Sequence, residues 1–224
     1  MNQFYQFCRR EILLKARQPR DVVFSILFFL MVCLFFPLSL PFSPNSLKSL
    51  APGIIWFGLT LSMLLSIDQV WQQDYDNGLM TQWYLLQKPI VTITQAKVLV
   101  HWLSSLVATL LIMPILTVAY GLHFYQSLIL FTAVSAGSLM IAYLTALAAA
   151  FSLSMQQKGV MMALILLPLV LPVMIWGSGV VSLASQPINV NPYLALLLAG
   201  SIGSVMLLPW PIALVIKMQI SECE

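Results

Sequence analysis

Residues 159–181 read GVMMALILLPLVLPVMIWGSGVV and contain no charged side chain. A helix that crosses a bilayer needs about 20 predominantly apolar residues, so this stretch is long enough to span a membrane by itself. Five further apolar stretches lie along the chain, at residues 22–40, 53–67, 98–120, 127–151 and 193–216. The sequence therefore predicts an all-α integral membrane protein with six transmembrane helices.

The composition indicates that lipid covers most of the surface. Of the 224 residues, 60% are hydrophobic and only 8% are charged, whereas an average soluble domain has about 25% charged residues. Too few charges remain to cover a soluble surface, which excludes a soluble globular domain, a disordered chain and a nucleic-acid binder. We divide the chain into a basic segment at 1–21, a six-helix membrane domain at 22–217 and a short tail at 218–224.

The positive charges indicate the orientation of the chain. Cytoplasmic loops of membrane proteins are enriched in Lys and Arg. With the N-terminus in the cytoplasm, nine of the ten cations fall on the inner side and only Lys48 falls outside. The nine are Arg9, Arg10, Lys15, Arg17, Arg20, Lys88, Lys97, Lys158 and Lys217. We therefore predict that both termini are cytoplasmic.

The basic segment at 1–21 is too polar to span a membrane. Its apolar residues fall mostly on one side of a helical wheel, which is typical of a helix lying in the membrane interface. Glu11 and Lys15 intrude on that side, which consists of Phe4, Phe7, Cys8 and Leu14. The alternative is a basic tail without a fixed helix.

Small residues and prolines recur inside the apolar stretches. Ala142, Ala146 and Ala150 follow one another at intervals of four residues, a spacing that lets helices approach closely in lipid. Proline inside a helix removes a backbone hydrogen bond. Kinks are therefore predicted at Pro114, Pro168, Pro172, Pro209 and Pro211.

Side chains that could support catalysis are scarce. The sequence contains no HExxH, GxSxG or P-loop pattern, and neither His101 nor His123 has a Cys or acidic residue at metal-ligand spacing. The widely separated Cys8, Cys33 and Cys223 indicate neither a disulfide framework nor a metal cage. We therefore predict no catalytic residue and no metal site. His123, in a short outer loop, is a candidate for facing a ligand such as haem iron, and simple solvent exposure is the alternative.

The longest polar connection, residues 74–89, lies on the predicted inner side. Asp76, Asn77 and Gly78 are typical turn and N-cap residues. The next eight residues can form a two-turn helix, which Pro89 ends. One apolar ridge runs along that helix and consists of Leu79, Met80 and Trp83. This ridge would lie either on the membrane interface, where Trp is enriched, or against a soluble partner.

A series of short motifs runs along nearly the whole chain. They are residues 50–56 (LAPGIIW), Asp74 with Asn77-Gly78, Gln82 and Leu85-Leu86, Ala96-Lys97-Val98 with His101-Trp102, Lys158-Gly159-Val160, and Tyr193-Leu194-Ala195. In this order they resemble the haem exporter protein B (CcmB) family, which forms the membrane part of the cytochrome c maturation ABC transporter. The inner loop departs from the family pattern at Leu79 and Thr81, and the fourth span departs from it near Ser135.

The resemblance implies a type-2 ABC exporter permease fold, with an interfacial N-terminal helix before six spans. It implies that the first inner loop is a short cytoplasmic coupling helix docked on an ATP-binding subunit. The coupling residues would be Asp74, Asp76, Asn77, Gly78, Leu79, Met80, Gln82 and Trp83. It also implies a location in the bacterial inner membrane and four partners: the ATP-binding subunit (CcmA), the haem-handling membrane subunit (CcmC), the small subunit (CcmD) and the haem chaperone (CcmE).

The implied function is that of the membrane subunit of an ATP-driven complex for cytochrome c biogenesis. ATP would be hydrolysed on the partner. Haem would be a cargo and not a firmly bound cofactor, because the chain has no Trp-Trp pair and one predicted outer histidine. Two uses of ATP stay open, namely export of haem and release of the haem-loaded chaperone. The alternatives are a type-2 permease for a lipid-linked glycan or a drug, and a non-catalytic scaffold.

Overall fold

The computed structural model describes residues 2–17, 19–39, 44–153, 155, 157–184 and 189–221, and all regular structure in these ranges is α-helical. The helices are α1 (Asn2–Arg17), α2 (Pro19–Ser39), α3 (Pro44–Asp76), α4 (Leu79–Leu85), α5 (Ile90–Ala119), α6 (Phe124–Ser152), α7 (Lys158–Leu183), α8 (Asn191–Leu207) and α9 (Pro209–Ser221). The all-α class is confirmed. Cys223 lies outside the described residues.

Within the described ranges, five helical segments are long and apolar enough to cross a membrane: α3, α5, α6, α7, and α8 taken together with α9. The first predicted span corresponds to α2, whose apolar portion Val23–Ser39 is shorter than these five. The chain therefore has the helices of a multi-pass membrane protein, and the sixth span stays a prediction.

α3 is much longer than its apolar stretch at 53–67. It begins at Pro44 and continues to Asp76, so that polar residues extend the helix beyond both ends of the apolar run. Asp74 and Asp76, which we predicted in the inner loop, therefore lie in the last turn of α3.

The prolines affect their helices unequally. Pro114, Pro168 and Pro172 lie inside helices that continue past them. The last predicted span, in contrast, breaks at Leu208 into α8 and α9. Pro209 begins α9, where its missing N–H leaves no helical hydrogen bond unmade.

α3 and α6 form the centre of the bundle, where 67% of the apolar segment of each is buried. The indole of Trp56 in α3 lies against Gly137 of α6 and Gly177 of α7. A Cβ atom would come within 2.5 Å of the ring at Gly137 and within 2.3 Å at Gly177. The two glycines therefore make the room that a fully buried tryptophan requires.

Close helix contacts surround this centre. The small-residue stripe of α6 is fully buried at Ala142, Ala146 and Ala150. Ser201 Oγ in α8 donates a hydrogen bond to Ala136 O in α6. The hydroxyls of Ser25 in α2 and Ser62 in α3 lie 2.8 Å apart, and Ser62 Oγ donates to Ser25 O at 2.9 Å. Hydroxyl groups thus supplement apolar packing between the helices.

The bundle has two ends, which we name the α4 end and the Lys48 end. The α4 end contains α4, the C-terminal turns of α3 and the N-terminal turns of α5. α9 also contacts α4, and Gln219 Nε2 donates to Phe151 O at 3.1 Å. The Lys48 end contains the first turns of α3, the α5–α6 turn and the last turn of α7. α1 (Asn2–Arg17) is a helix packed along α5, and its location in the membrane interface stays a prediction.

Candidate functional sites at the two ends of the bundle

α4 begins at a sharp reversal of the chain after α3. Asn77 N–H donates to Gln73 O at 3.1 Å, and Gly78 N–H donates to Tyr75 O at 3.0 Å. Gly78 then has φ 65°, a left-handed conformation that glycine adopts without a steric cost. α4 therefore folds back against the bundle, where it contacts α3 and α9.

The predicted apolar ridge of α4 faces the bundle and not the surroundings. Met80 is 1% exposed and Trp83 is 7% exposed, and Leu79 packs partly buried against the same core. The outward side carries Gln82 together with Leu85, which is 66% exposed. Leu86 follows and is 65% exposed. The resemblance includes Leu85-Leu86, but the sequence analysis did not predict that these two leucines would be the exposed apolar side chains of this segment.

Trp83, buried against the bundle, lies beside a charged cluster centred on Lys97 of α5. Lys97 is only 4% exposed and forms ion pairs with Asp74 of α3 and with Glu11 of α1, the latter at 3.5 Å. Its ammonium also lies 5.7 Å from the ring centroid of Trp71 and 5.8 Å from that of Trp83, within the range of a cation–π interaction. We name these five residues the Lys97 cluster.

The Lys97 cluster joins α1, α3, α4 and α5 at one point. Burying charges is costly, and removal of one partner from a buried ion pair costs about 3–5 kcal/mol because the other charge stays uncompensated. The sequence analysis used Lys97 only as a topological charge. Glu11 was noted only because it interrupts the apolar side of α1. A charged residue at such a position could have indicated a buried residue of opposite charge as its partner.

One turn along α1, Lys15 makes a second polar contact with α5. Lys15 Nζ lies 3.0 Å from His101 Nδ1 and donates to Ser104 Oγ at 2.6 Å. His101 is fully buried. A cavity of about 190 Å³ adjoins both contacts and is lined in part by Arg10, Lys15 and Asn77. The two polar residues that interrupt the apolar side of α1 thus anchor it to α5 beside an open space.

Cys8 lies on α1, outside the five spanning segments, and its side chain is partly buried. Burial raises the pKa of the Cys8 thiol, and the negative charge of Glu11 raises it further. The thiol therefore stays protonated near neutral pH, which is unlike a reactive cysteine.

His123 lies at the Lys48 end, exposed at the start of α6, where its backbone N–H donates to Gln126 Oε1 at 3.2 Å. It borders a cavity of about 580 Å³ that Lys48 and Tyr125 also line. Among the residues that the structure describes, no group of three His, Cys, Asp or Glu side chains is placed to hold a metal ion. The Lys48 end therefore offers a single imidazole and a single ammonium beside an open cavity.

Comparison with known proteins gives a consistent result over the whole chain. The CcmB protein family matches residues 2–219. "Heme exporter protein B" of Pseudomonas aeruginosa is 31% identical over 221 residues, which cover 99% of each chain. The proteins of the same name from Haemophilus influenzae and Escherichia coli K12 are each 29% identical, over 98% and 97% of this chain and 99% of their own lengths.

Proposed function

The chain belongs to the CcmB family, and from this premise we propose that it is the membrane subunit of an ATP-driven haem exporter for cytochrome c biogenesis. The names of its relatives support haem export, and five membrane-length helices support a role within the bilayer. The sequence has no P-loop pattern, so we place ATP hydrolysis on a separate subunit. The chain would supply no catalytic residue of its own.

The observation that carries the coupling role is that one side of α4 is buried and the other side is exposed. Met80 and Trp83 fix one side of this short helix to the bundle, while Leu85 and Leu86 are exposed on the other. Exposed apolar residues next to a polar face are typical of a surface that a partner covers. We assign this outward side to the ATP-binding subunit, and we retain Asp74, Asp76, Asn77 and Gly78 as the residues that position it.

The Lys97 cluster provides the route by which movement of α4 reaches the membrane helices. The ring of Trp83 in α4 lies 5.8 Å from the ammonium that also pairs with Asp74 of α3 and Glu11 of α1. Coupling between distant sites requires a contiguous set of packed groups that both sites influence. A push on α4 would therefore act on α1, α3 and α5 together.

The remaining parts of the proposal concern topology and partners. We place the α4 end in the cytoplasm of a bacterium, the Lys48 end outside the inner membrane, and α2 as the sixth span, because this orientation puts nine of ten cations inside. CcmA, CcmC, CcmD and the chaperone CcmE would complete the complex. Reporter fusions after Ser46 and His123 should read outside, and fusions at Gln82 and Gln157 inside; one inverted reporter would contradict this topology.

Deletion of the gene tests the cargo. Covalent haem attachment to c-type cytochromes should be lost, whereas b-type cytochromes, which take haem without this pathway, should persist. Haem staining of membrane proteins separates the two classes. Normal c-type bands would instead indicate a type-2 permease for another cargo, such as a lipid-linked glycan or a drug.

A double substitution tests the coupling surface. Leu85→Asp with Leu86→Asp should abolish co-purification of the ATP-binding subunit, because both side chains are exposed and their loss removes no internal contact. The matched control is Gln157→Asp, which adds charge to the other inner loop at an exposed N-cap where Asp is favourable. Normal ATPase stoichiometry in the double variant would mean that these leucines face lipid.

A further inference from the structure

Two adjoining cavities lie beside α1 at the α4 end of the bundle. The inner cavity, of about 190 Å³, lies between α1, α3, α4 and α5 and has Gln73 and Asn77 among its polar walls. The outer cavity, of about 390 Å³, is lined by residues of α1. Arg10 and Leu14 line both cavities, so that the two join along α1. We name the joined cavities the α1 groove.

The α1 groove carries an excess of positive charge. Four cationic side chains line it, and its two carboxylates, those of Glu11 and Asp74, already pair with Lys97. Arg9 and Arg10 are exposed and both line the outer cavity. Within the described ranges neither arginine forms an ion pair. A planar guanidinium binds a phosphate through two parallel hydrogen bonds, so the two arginines are suited to a phosphate group.

Exposed leucines accompany the two arginines. Leu13 is 50% exposed and Leu14 is 43% exposed, and both line the outer cavity. A free inorganic anion gains nothing from such side chains, whereas the acyl chains of a phospholipid would remove them from water. α1 is followed directly by α2, whose portion Val23–Ser39 is apolar, so α1 cannot lie far from the bilayer. Basic pockets between membrane helices are typical sites for anionic lipid headgroups.

We propose that the α1 groove binds an anionic phospholipid of the phosphatidylglycerol type. Its phosphate pairs with Arg9 and Arg10, and its acyl chains cover the exposed leucines. Its polar headgroup enters the inner cavity, where Gln73 and Asn77 offer hydrogen-bonding groups. The lipid thereby lies next to the Lys97 cluster, of which Glu11 in α1 is a member. This inference goes beyond the proposed function, because it requires only that the chain lies in a membrane and depends on neither the cargo nor the ATP-binding subunit.

The test uses the full chain purified in a neutral detergent, and native mass spectrometry measures the lipids that it binds. The wild-type chain should bind phosphatidylglycerol about 30-fold more tightly than phosphatidylcholine, the factor expected for two arginines near an anionic headgroup. Arg9→Gln with Arg10→Gln should abolish this preference, and the variant should fold because both side chains are exposed. The matched control, Lys88→Gln with Lys217→Gln, removes the same charge from two other exposed side chains and should keep the preference.

Equal binding of the two lipids by the wild type, or an unchanged preference in the arginine variant, would overturn the proposal. An equal loss in the lysine control would also overturn it, because diffuse positive charge would then attract the lipid. Displacement of phosphatidylglycerol by soluble glycerol 3-phosphate would show that the groove takes a free phosphate and would overturn the assignment to a lipid. Haem attachment to c-type cytochromes in the deletion strain tests the proposed function separately, since lipid binding by the purified chain does not depend on it.

Discussion

Trp56 and Trp83 are both buried, yet the molecule holds them by different means. Trp56, at the centre of the bundle, is enclosed by Gly137 and Gly177 of two neighbouring helices. Trp83, at the α4 end, lies beside the ammonium of Lys97, which carboxylates from two other helices neutralise. Close packing against two glycines accommodates Trp56, whereas Trp83 lies against a neutralised ammonium group.

The comparison separates a rigid region from an adjustable one. A close-packed interior has few voids and transmits displacement, so α3, α6 and α7 must move together around Trp56. The Lys97 cluster adjoins a cavity of about 190 Å³ lined by further polar residues, among them Arg10, Gln73 and Asn77. Charged groups there can exchange partners without creating a void. The α4 end is therefore the region suited to respond to a partner.

The largest expected effect is on the charged site of this comparison, the Lys97 cluster beside Trp83. Lys97→Met should lower the free energy of unfolding by about 3–5 kcal/mol, because Glu11 and Asp74 would stay buried without a counter-charge. Thermal unfolding of the purified chain in detergent measures the loss. Lys88→Met, an exposed lysine at the same end, should have little effect. Adding Glu11→Gln and Asp74→Asn to Lys97→Met should restore stability, and failure to do so would refute the electrostatic explanation.

The next largest effect is on the other site of this comparison, the close packing of glycines against Trp56. Gly177→Ala should lower stability by about 1–3 kcal/mol because the new Cβ overlaps the Trp56 ring. Gly179→Ala, in the same helix with nothing within 4 Å of its added Cβ, should be neutral or slightly stabilising. Trp56→Phe introduced into the Gly177→Ala chain should recover part of the loss. Equal melting temperatures for the two glycine variants would contradict the close contact between Gly177 and the indole.

A smaller effect is expected from the neutral hydrogen bonds between helices, which add a third kind of contact to the comparison. Ser62→Ala should cost about 0.6 kcal/mol, the average for such bonds in a membrane bundle, since Ser62 Oγ links α3 to α2. Ser49→Ala is the matched control, because Ser49 Oγ bonds only to Ser46 O in its own helix. Unfolding of both variants in detergent measures the difference in stability between them. A larger loss for Ser49→Ala would show that the hydroxyl contact between α2 and α3 does not stabilise the bundle.

The smallest effect concerns the pH response of Cys8, next to the charged cluster. Its raised pKa leaves less thiolate at a given pH, so labelling by a maleimide should be slower than for a free cysteine at pH 8 and should keep rising above that pH. Glu11→Gln should accelerate labelling only modestly, by less than about threefold, because burial is the larger cause. Peptide mass mapping identifies the Cys8 adduct. A labelling rate equal to that of a free cysteine would contradict the burial of this thiol.

The sequence predicted the all-α class and most of the long apolar helices because apolar length and turn residues are local properties. It predicted a two-turn helix over the eight residues 79–86, and the structure has α4 over Leu79–Leu85. The direction of Trp83 was not predictable locally, because it depends on Lys97 in another helix. The enclosure of Trp56 likewise depends on Gly177, which is 121 positions away (177 minus 56). Contacts between side chains of different helices could not be predicted, because the pattern of apolar and polar residues along the chain does not specify which helices pack together.

The contact between α4 and α9 joins two segments that are synthesised far apart in time. α9 packs on α4, α5 and α6. During translation, residues 79–85 leave the ribosome long before residues 209–221, so α4 lacks this part of its support until α9 has been made. The ATP-binding partner would therefore meet the complete form of the surface that we assign to it only after α9 has packed on α4.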